Sequence, residues 1–482
     1  MPDFFRFDSI ACVGEPKPLA ERGGSEKCKH CSLGIFKVNK ECLLDIFKSA
    51  IEGVDPYHLV MKKVKVVGRR MTIHGQDYNL GNFNRIVVIG AGKAAAPMAR
   101  ALEEILEDRI DEGLIIVKYG HKQSLRKIRQ IGGSHPLPDL NGIEGTKNIM
   151  DILKRVDEKT LIFCLLSGGA SSLLLSPFKG ISLEDKQAVT ELLLKAGATI
   201  DELNSVRKHI SSVKGGRLAE LSYPATLITL ILSDVIGDRL DVIASGPTVP
   251  DSTTFKDAIG VLRKYGLEDK IPGRVAKILK DGLEGKIGET PKGGEEFFEK
   301  TRTIIVGGIK EALGAAKEKA ETIGYTTEIV TSALKGEAVE AARYLAARAI
   351  MVQKTLRSGD QPRCLLSGGE TTVTVKGNGL GGRNQELALA FAIAIEGRDG
   401  ITLLSAGTDG TDGPTDAAGA IVDSGTLSLT KRYGIDAASY LENNDSYHFF
   451  KRLDSISGER HHLMTGPTGT NVMDLQIITV EG

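Results

Sequence analysis

Apolar residues along this chain alternate between short unbroken runs and repeats at helical spacing. Leu44, Phe47, Ile51 and Val54 mark one helical face, stopped by Asp55 and Pro56. Arg85 to Ile89 reads as a strand, Met98, Ala101, Leu102 and Ile105 as the helix after it, and Leu114 to Val117 as the next strand. Ile149, Ile152, Leu153 and Val156 predict a helix leading into the strand Leu161 to Leu166, and Thr226 to Leu232 is a further buried strand. A second series follows: strand Thr303 to Val306, helix from Lys310, strand Thr327 to Val330 and helix Val339 to Val352. Then an apolar strand ends at Ser367, Thr371 to Val375 alternates like a half-buried strand, and Leu387, Phe391 and Ile395 predict a helix from about Asn384. Ile401 to Ser405 and Val472 to Val480 complete the strands.

Strands alternating with helices predict an α/β fold with a parallel sheet, whose ligands bind beyond the carboxyl ends of the strands. At 482 residues the chain is too long for one ordinary core, so two domains and a cleft are expected. Between about Lys280 and Lys300 the pattern lapses into charged, glycine-rich sequence, which places the junction there. The expected division is 39–290 and 300–482. Residues 1–38, with Pro16, Pro18, Gly23 and Gly24 and no sustained period, are read as an appended or disordered extension.

Composition narrows the function. Lys plus Arg and Asp plus Glu each number 62, leaving no net field to attract nucleic acid or an acidic membrane. No apolar stretch approaches the roughly 20 residues of a spanning helix, and Met1 to Ile10 shows no secretory pattern, so a cytoplasmic protein is expected. Cys164 and Cys364 lie in apolar strands and read as core residues. Cys28-Lys-His-Cys31, with Cys12 and Cys42 or His30, has the makings of a zinc site but lacks a second close pair, and the bare extension is preferred.

Candidate chemistry concentrates in Cys364 to Ile395. There Glu370 follows Ser367, Gly368 and Gly369, and the glycine-rich loop Gly377 to Gly382 delivers Arg383 to the start of a helix. Amide donors at a helix start beside a guanidinium suit an anion, most naturally phosphate. CLLSGG occurs at both Cys164 to Gly169 and Cys364 to Gly369, predicting that each half ends a buried strand in an anion-friendly turn. Gly90-Ala-Gly92-Lys93-Ala-Ala95 matches a relaxed dinucleotide fingerprint, yet Lys118 and Tyr119 stand after the following strand where a NAD site wants an acid. Lys93, a cation at a phosphate-facing helix start, suits phosphoryl transfer. Neither a P-loop nor a protein-kinase motif set is present. Asp409, Asp412 and Asp416 have the wrong spacing for an EF-hand, which leaves a Mg²⁺ site shared with substrate phosphates or plain Asp-Gly turn chemistry. His135, in the loop Ser134 to Asp139, is expected to brace that turn.

With GAGKA, SHPLPD, LLSGGASS, NSVRKHIS, LSDVIGD, ASGPTVPD, SGGETTV, GGRNQE and AGTDGTDGPTDAAG in this order, the chain resembles class II glycerate 2-kinases from about residue 40 onward. The resemblance implies a Rossmann-like N-terminal domain, a C-terminal α/β MOFRL domain, and an active site in the interdomain cleft. It further implies phosphorylation of D-glycerate at O2 by ATP with Mg²⁺ or another divalent cation. Carried over by position, the catalytic cations fall on Lys93 and Arg383, with Asp234, Glu370, Asn384 and Asp409 as polar neighbours. Gly90, Gly92 and the turn of Ser167, Gly168, Gly169 and Ser171 would hold nucleotide or substrate, and Asp234 or Asp409 would hold the metal or orient the hydroxyl. A homodimer is compatible with this reading. An NAD(P)H-dependent hydroxypyruvate reductase and a non-catalytic nucleotide sensor are the competing readings.

Overall fold

The structure, a computed structural model, describes residues 40–482. The expected extension at 1–38, and the zinc alternative on Cys12, Cys28, His30 and Cys31, lie outside the described residues. Two compact units emerge, neither continuous in sequence. One comprises Val54–Glu311 and Gly469–Val472; the other comprises the helix Lys40–Gly53, Ala312–Thr468 and Met473–Gly482.

In the first unit, Asp55 and Pro56 do more than stop a helix. The Asp55 carboxylate accepts from the His58 N–H and Pro56 takes the first helical position, so the pair opens the helix Pro56–Lys63. A small antiparallel meander follows, made of β1 (Val64–Val67), β2 (Arg70–Ile73) and β3 (Gln76–Asn79). The main sheet contains β4 (Arg85–Ala91), β5 (Glu112–Lys118), β6 (Ile128–Gly133), β7 (Thr160–Leu166), β8 (Thr226–Leu232) and β9 (Thr301–Gly307), all parallel. Their spatial order is β6-β5-β4-β7-β8-β9, so strand order reverses between β4 and β7. This is the doubly wound order of dinucleotide-binding folds. Every residue of β7 is buried, which is why it reads as one unbroken apolar run. Cys164 is part of this core, and burial pushes its thiol up to about 12.

Thr301–Gly307, expected to open the second half, pairs with β8 and completes the first sheet instead. The charged stretch before it is the surface connection into that edge strand. Nothing local tells a strand which sheet it will join.

The second unit holds β10 (Thr326–Leu334), β11 (Arg363–Gly369), β12 (Ile401–Gly407), β13 (Gly419–Asp423), β14 (His462–Leu463) and β15 (Asp474–Val480). Their order is β10-β11-β15-β12-β13-β14, with β15 antiparallel to both neighbours. Helices Ala338–Gln353 and Arg383–Ala394 pack together, with Leu345, Leu387 and Phe391 in the core they share with Leu365 and Ile478. Helix Lys40–Gly53, read with the front domain, packs against β15 and belongs to this unit.

The alternating stretch Thr371 to Val375 is not a strand. Only Thr372 makes a single bridge, to Glu337, whose carboxylate accepts from the Thr374 N–H and both threonine hydroxyls. Side-chain hydrogen bonds there replace a ladder that has no partner strand. Among the described residues no helix is long and apolar enough to cross a membrane.

Candidate active site

In the first unit, the reversal between β4 and β7 brings two predicted turns together. The Lys93 N–H donates to the Gly168 carbonyl at 2.8 Å, and the Ala94 N–H donates to Ser167 Oγ at 3.0 Å. The glycines explain how they come so close. Gly92 has φ +141°, and a Cβ there would lie 2.1 Å from Ser167 Oγ; one at Gly90 would lie 2.3 Å from the Leu165 carbonyl oxygen. Both are glycine because β7 presses on them, and Gly90 sits inside the sheet, paired on both sides. The fingerprint-like spacing therefore reflects strand packing. Lys93 is half-buried just before the helix Ala95–Leu106, whose first N–H groups favour negative charge.

Asp234 follows the end of β8 and covers the same turn. A Cβ on Gly168 would stand 2.3 Å from Asp234 Oδ2 and 3.2 Å from Asn471 Nδ2. Gly169, at φ +86°, faces the ring of His135, whose Cδ2 lies 3.0 Å from where a Cβ would be. The Ser171 carbonyl accepts from Lys214 Nζ at 2.9 Å. Lys93, Ser167, Gly168, Gly169 and Asp234 are thus one constellation, and Ser171 continues it down the short helix Ala170–Leu173. Asn471 was missed from the sequence because it returns from near the far end of the chain. His135, expected to brace its own loop Ser134 to Asp139, lies instead against Gly169 of this turn.

In the second unit, Ser367, Gly368 and Gly369 do not form a turn. They remain in β11, paired with Gln476, Leu475 and Asp474 of β15. The repeated CLLSGG therefore ends a strand in one unit and continues it in the other. The reason is that β15 supplies a partner throughout, whereas Gly169 leaves its sheet in a left-handed conformation.

Arg383 opens the helix Arg383–Ala394 and is held on two sides. Its Nε and Nη2 donate to Asp474 at 2.5 and 2.8 Å, and its Nη1 lies 2.8 Å from Glu370 Oε1. Burial pulls this guanidinium's pKa down, but the hydrogen bonds and charges of Asp474 and Glu370 outweigh it and hold the group firmly protonated. Asp474 also escaped prediction. The sequence shows only an acid within the apolar run Val472 to Val480; its full burial, which demands a cation, shows only in the fold.

Asn384 is 1% exposed. Its backbone and side-chain N–H groups donate to Asp412 Oδ1, and its carbonyl oxygen accepts from Ser405. The amide expected to contact ligand is engaged within the unit. Asp412 also accepts from the backbone and side chain of Gln385, so it serves the helix start. Burial raises its carboxyl to about 6 despite these bonds. Asp409 accepts from the Thr411 N–H and hydroxyl in an Asx turn.

Among the described residues no group of three or more His, Cys, Asp or Glu side chains is arranged to hold a metal. Asp234 and Asp409, one in each unit, are each a hard oxygen donor of the kind Mg²⁺ prefers.

Residues 42–280 match a domain described as of unknown function (DUF4147), and residues 363–474 match the MOFRL family. D-glycerate 2-kinase from Thermotoga maritima is 43% identical, over 91% of this chain and 97% of that protein. The chain belongs to the class II glycerate 2-kinases. Another relative, glycerate 2-kinase from Pyrococcus horikoshii, is 40% identical over 92% of this chain and 97% of that one. An Agrobacterium vitis relative carrying the hydroxypyruvate reductase name is 38% identical over 92% of this chain and 94% of its own. The crystal structure of glycerate kinase from T. maritima matches with a TM-score of 0.79 at 43% identity, covering 92% of this chain and 99% of that one. The Lys93 turn and the Arg383 helix thus fall within the two segments matched in a class II glycerate 2-kinase.

Proposed function

We propose that this protein transfers the γ-phosphoryl group of ATP to O2 of D-glycerate, giving 2-phosphoglycerate and ADP. The observation that carries the reading is the meeting of Lys93, the Ser167 to Gly169 turn and Asp234 at the reversal point of a doubly wound sheet.

Phosphoryl transfer asks for positioning and charge stabilisation more than for covalent help. Lys93 supplies a cation beside helix N–H groups, which suits the equatorial oxygens of the transferring group. Asp234 accepts the proton of the O2 hydroxyl as that oxygen bonds to phosphorus and the bond to the ADP oxygen breaks. Arg383 is the second cation, kept charged and held in orientation by Asp474. Asp234 or Asp409 would hold Mg²⁺, which neutralises phosphate charge when bound.

The reductase reading is the weaker one. A NAD site wants an acid at the end of the second strand of the fold. Here β5 ends at Lys118, followed by Tyr119, whose hydroxyl donates to Asp139. The deciding assay supplies ATP, Mg²⁺ and D-glycerate, coupled through enolase without phosphoglycerate mutase. Signal is expected only with all three present. Oxidation of NADH or NADPH by hydroxypyruvate in place of ATP consumption would overturn the proposal.

A further inference from the structure

The first unit contains a second concentration of positive charge that the phosphoryl chemistry above does not use. Lys186 lies on the helix Leu183–Lys195 and Arg207 on Ile200–His209; Lys214 comes in the loop after it. Lys186 is 4% exposed and Lys214 is 1% exposed. Among the described residues none of the three has a carboxylate within 4.0 Å, although Lys208 beside them is paired with Asp251 at 3.1 Å. Lys186 Nζ is buried with no hydrogen-bond partner among the described residues.

Neutral donors gather in the same place. Lys214 Nζ donates to the carbonyls of Ser171 and Ala244 at 2.9 and 3.2 Å, tying it to the predicted binding turn. Ser171 Oγ lies 3.4 Å from Ser245 Oγ, which donates to Asn204 Oδ1 at 2.9 Å. That leaves Asn204 Nδ2 buried with no partner, on the helix that carries Arg207 one turn later. Ala244 and Ser245 adopt left-handed backbone at φ +53° and +62°, a strained arrangement for residues with a Cβ.

Buried like charges without counterions are costly, and the cost shows in the lysines. Burial, then the charge of Arg207, pushes Lys186 down to about 7; burial, then the charges of Lys186 and Arg207, holds Lys214 well below the ordinary lysine value. A fold retains such a cluster at the expense of stability when an anion completes it.

We propose that Lys186, Arg207 and Lys214, with the Asn204 amide, form a subsite for the carboxylate of the acceptor substrate. This rests on the kinase reading above. It gives the acid group of a small hydroxy acid a place next to the turn that holds its reacting end. ATP phosphate is the other source of the same anion chemistry.

The test measures equilibrium binding of D-glycerate and of ATP separately, with steady-state kinetics, for the wild type, Lys186→Met and Arg207→Gln. Glycerate binding and KM are expected to weaken roughly tenfold or more in both variants, with ATP affinity within about twofold and kcat within a few-fold. Lys186→Met is expected to melt at or above the wild-type temperature, since it removes an uncompensated charge. Unchanged glycerate affinity in the folded variants overturns the subsite, and so does a loss confined to ATP, which would assign the cluster to nucleotide phosphates. A wild type that neither binds nor phosphorylates glycerate sinks the kinase reading and the subsite with it. Variants that match an active wild type sink the subsite alone.

Discussion

The side chain of Arg383 meets that of Asp474 in a two-pronged pair, Nε to Oδ2 at 2.5 Å and Nη2 to Oδ1 at 2.8 Å. A planar fork docked on a fully buried carboxylate fixes where the remaining N–H groups point. Arg383→Lys keeps the charge and loses the fork, so kcat is expected to fall about 100-fold or more. Asp474→Asn keeps the shape but halves the grip, and a fall of roughly tenfold in kcat is expected, with circular dichroism confirming an intact fold.

Lys93 is fixed in its turn by its backbone, through the hydrogen bond to Gly168, and not by its side chain alone. Lys93→Met should therefore leave the unfolding free energy within about 0.5 kcal/mol of wild type while lowering kcat on the order of 100-fold or more. A denaturant titration beside the enolase-coupled assay separates the two effects.

Glycine is required at position 92 for two reasons, its φ of +141° and the 2.1 Å approach of Ser167 Oγ to any Cβ. Gly92→Ala is expected to destabilise by about 3 kcal/mol or more, because β4 and β7 would have to separate. Gly237 has φ +76° with no atom within 4 Å of a Cβ, so Gly237→Ala should cost only about 1 kcal/mol. Chemical denaturation of the pair distinguishes crowding from backbone strain.

Much of the first sheet was legible in the sequence because β4, β7 and β8 are buried on both faces and spell continuous apolar runs. The helix at Arg383 was legible for a different reason: small residues precede a periodic face. Sheet membership was not. β9 joins the first sheet, and β15 enters between β11 and β12, through pairings that leave no local mark. The site divides along the same line. Lys93, the Ser167 turn and Asp234 follow strand ends, where chain order and position agree. Asp474 and Asn471 come from the far end of the chain, and only their burial or contacts reveal them.

Lys186 gives the protein an alkaline signature. Its folded pKa of about 7 lies below the ordinary lysine value of 10.5, so the unfolded chain binds more protons between those limits. Stability attributable to this residue therefore rises with pH across that window, and below about pH 7 the burden of the buried charge is fully present. Lys186→Met should be more stable than wild type near pH 7, with the advantage shrinking toward pH 10. Paired denaturant midpoints across that range measure it; a constant difference would show that the lysine does not titrate there.

The central position of β15 also bears on how the protein is made. Until Asp474–Val480 has left the ribosome, β11 and β12 each present an open edge of backbone donors and acceptors to solvent. Synthesis therefore passes through an interval in which the later unit has its helices but lacks the keystone of its sheet. That interval is when a chaperone would be most useful and when a truncated polypeptide would be most prone to aggregate.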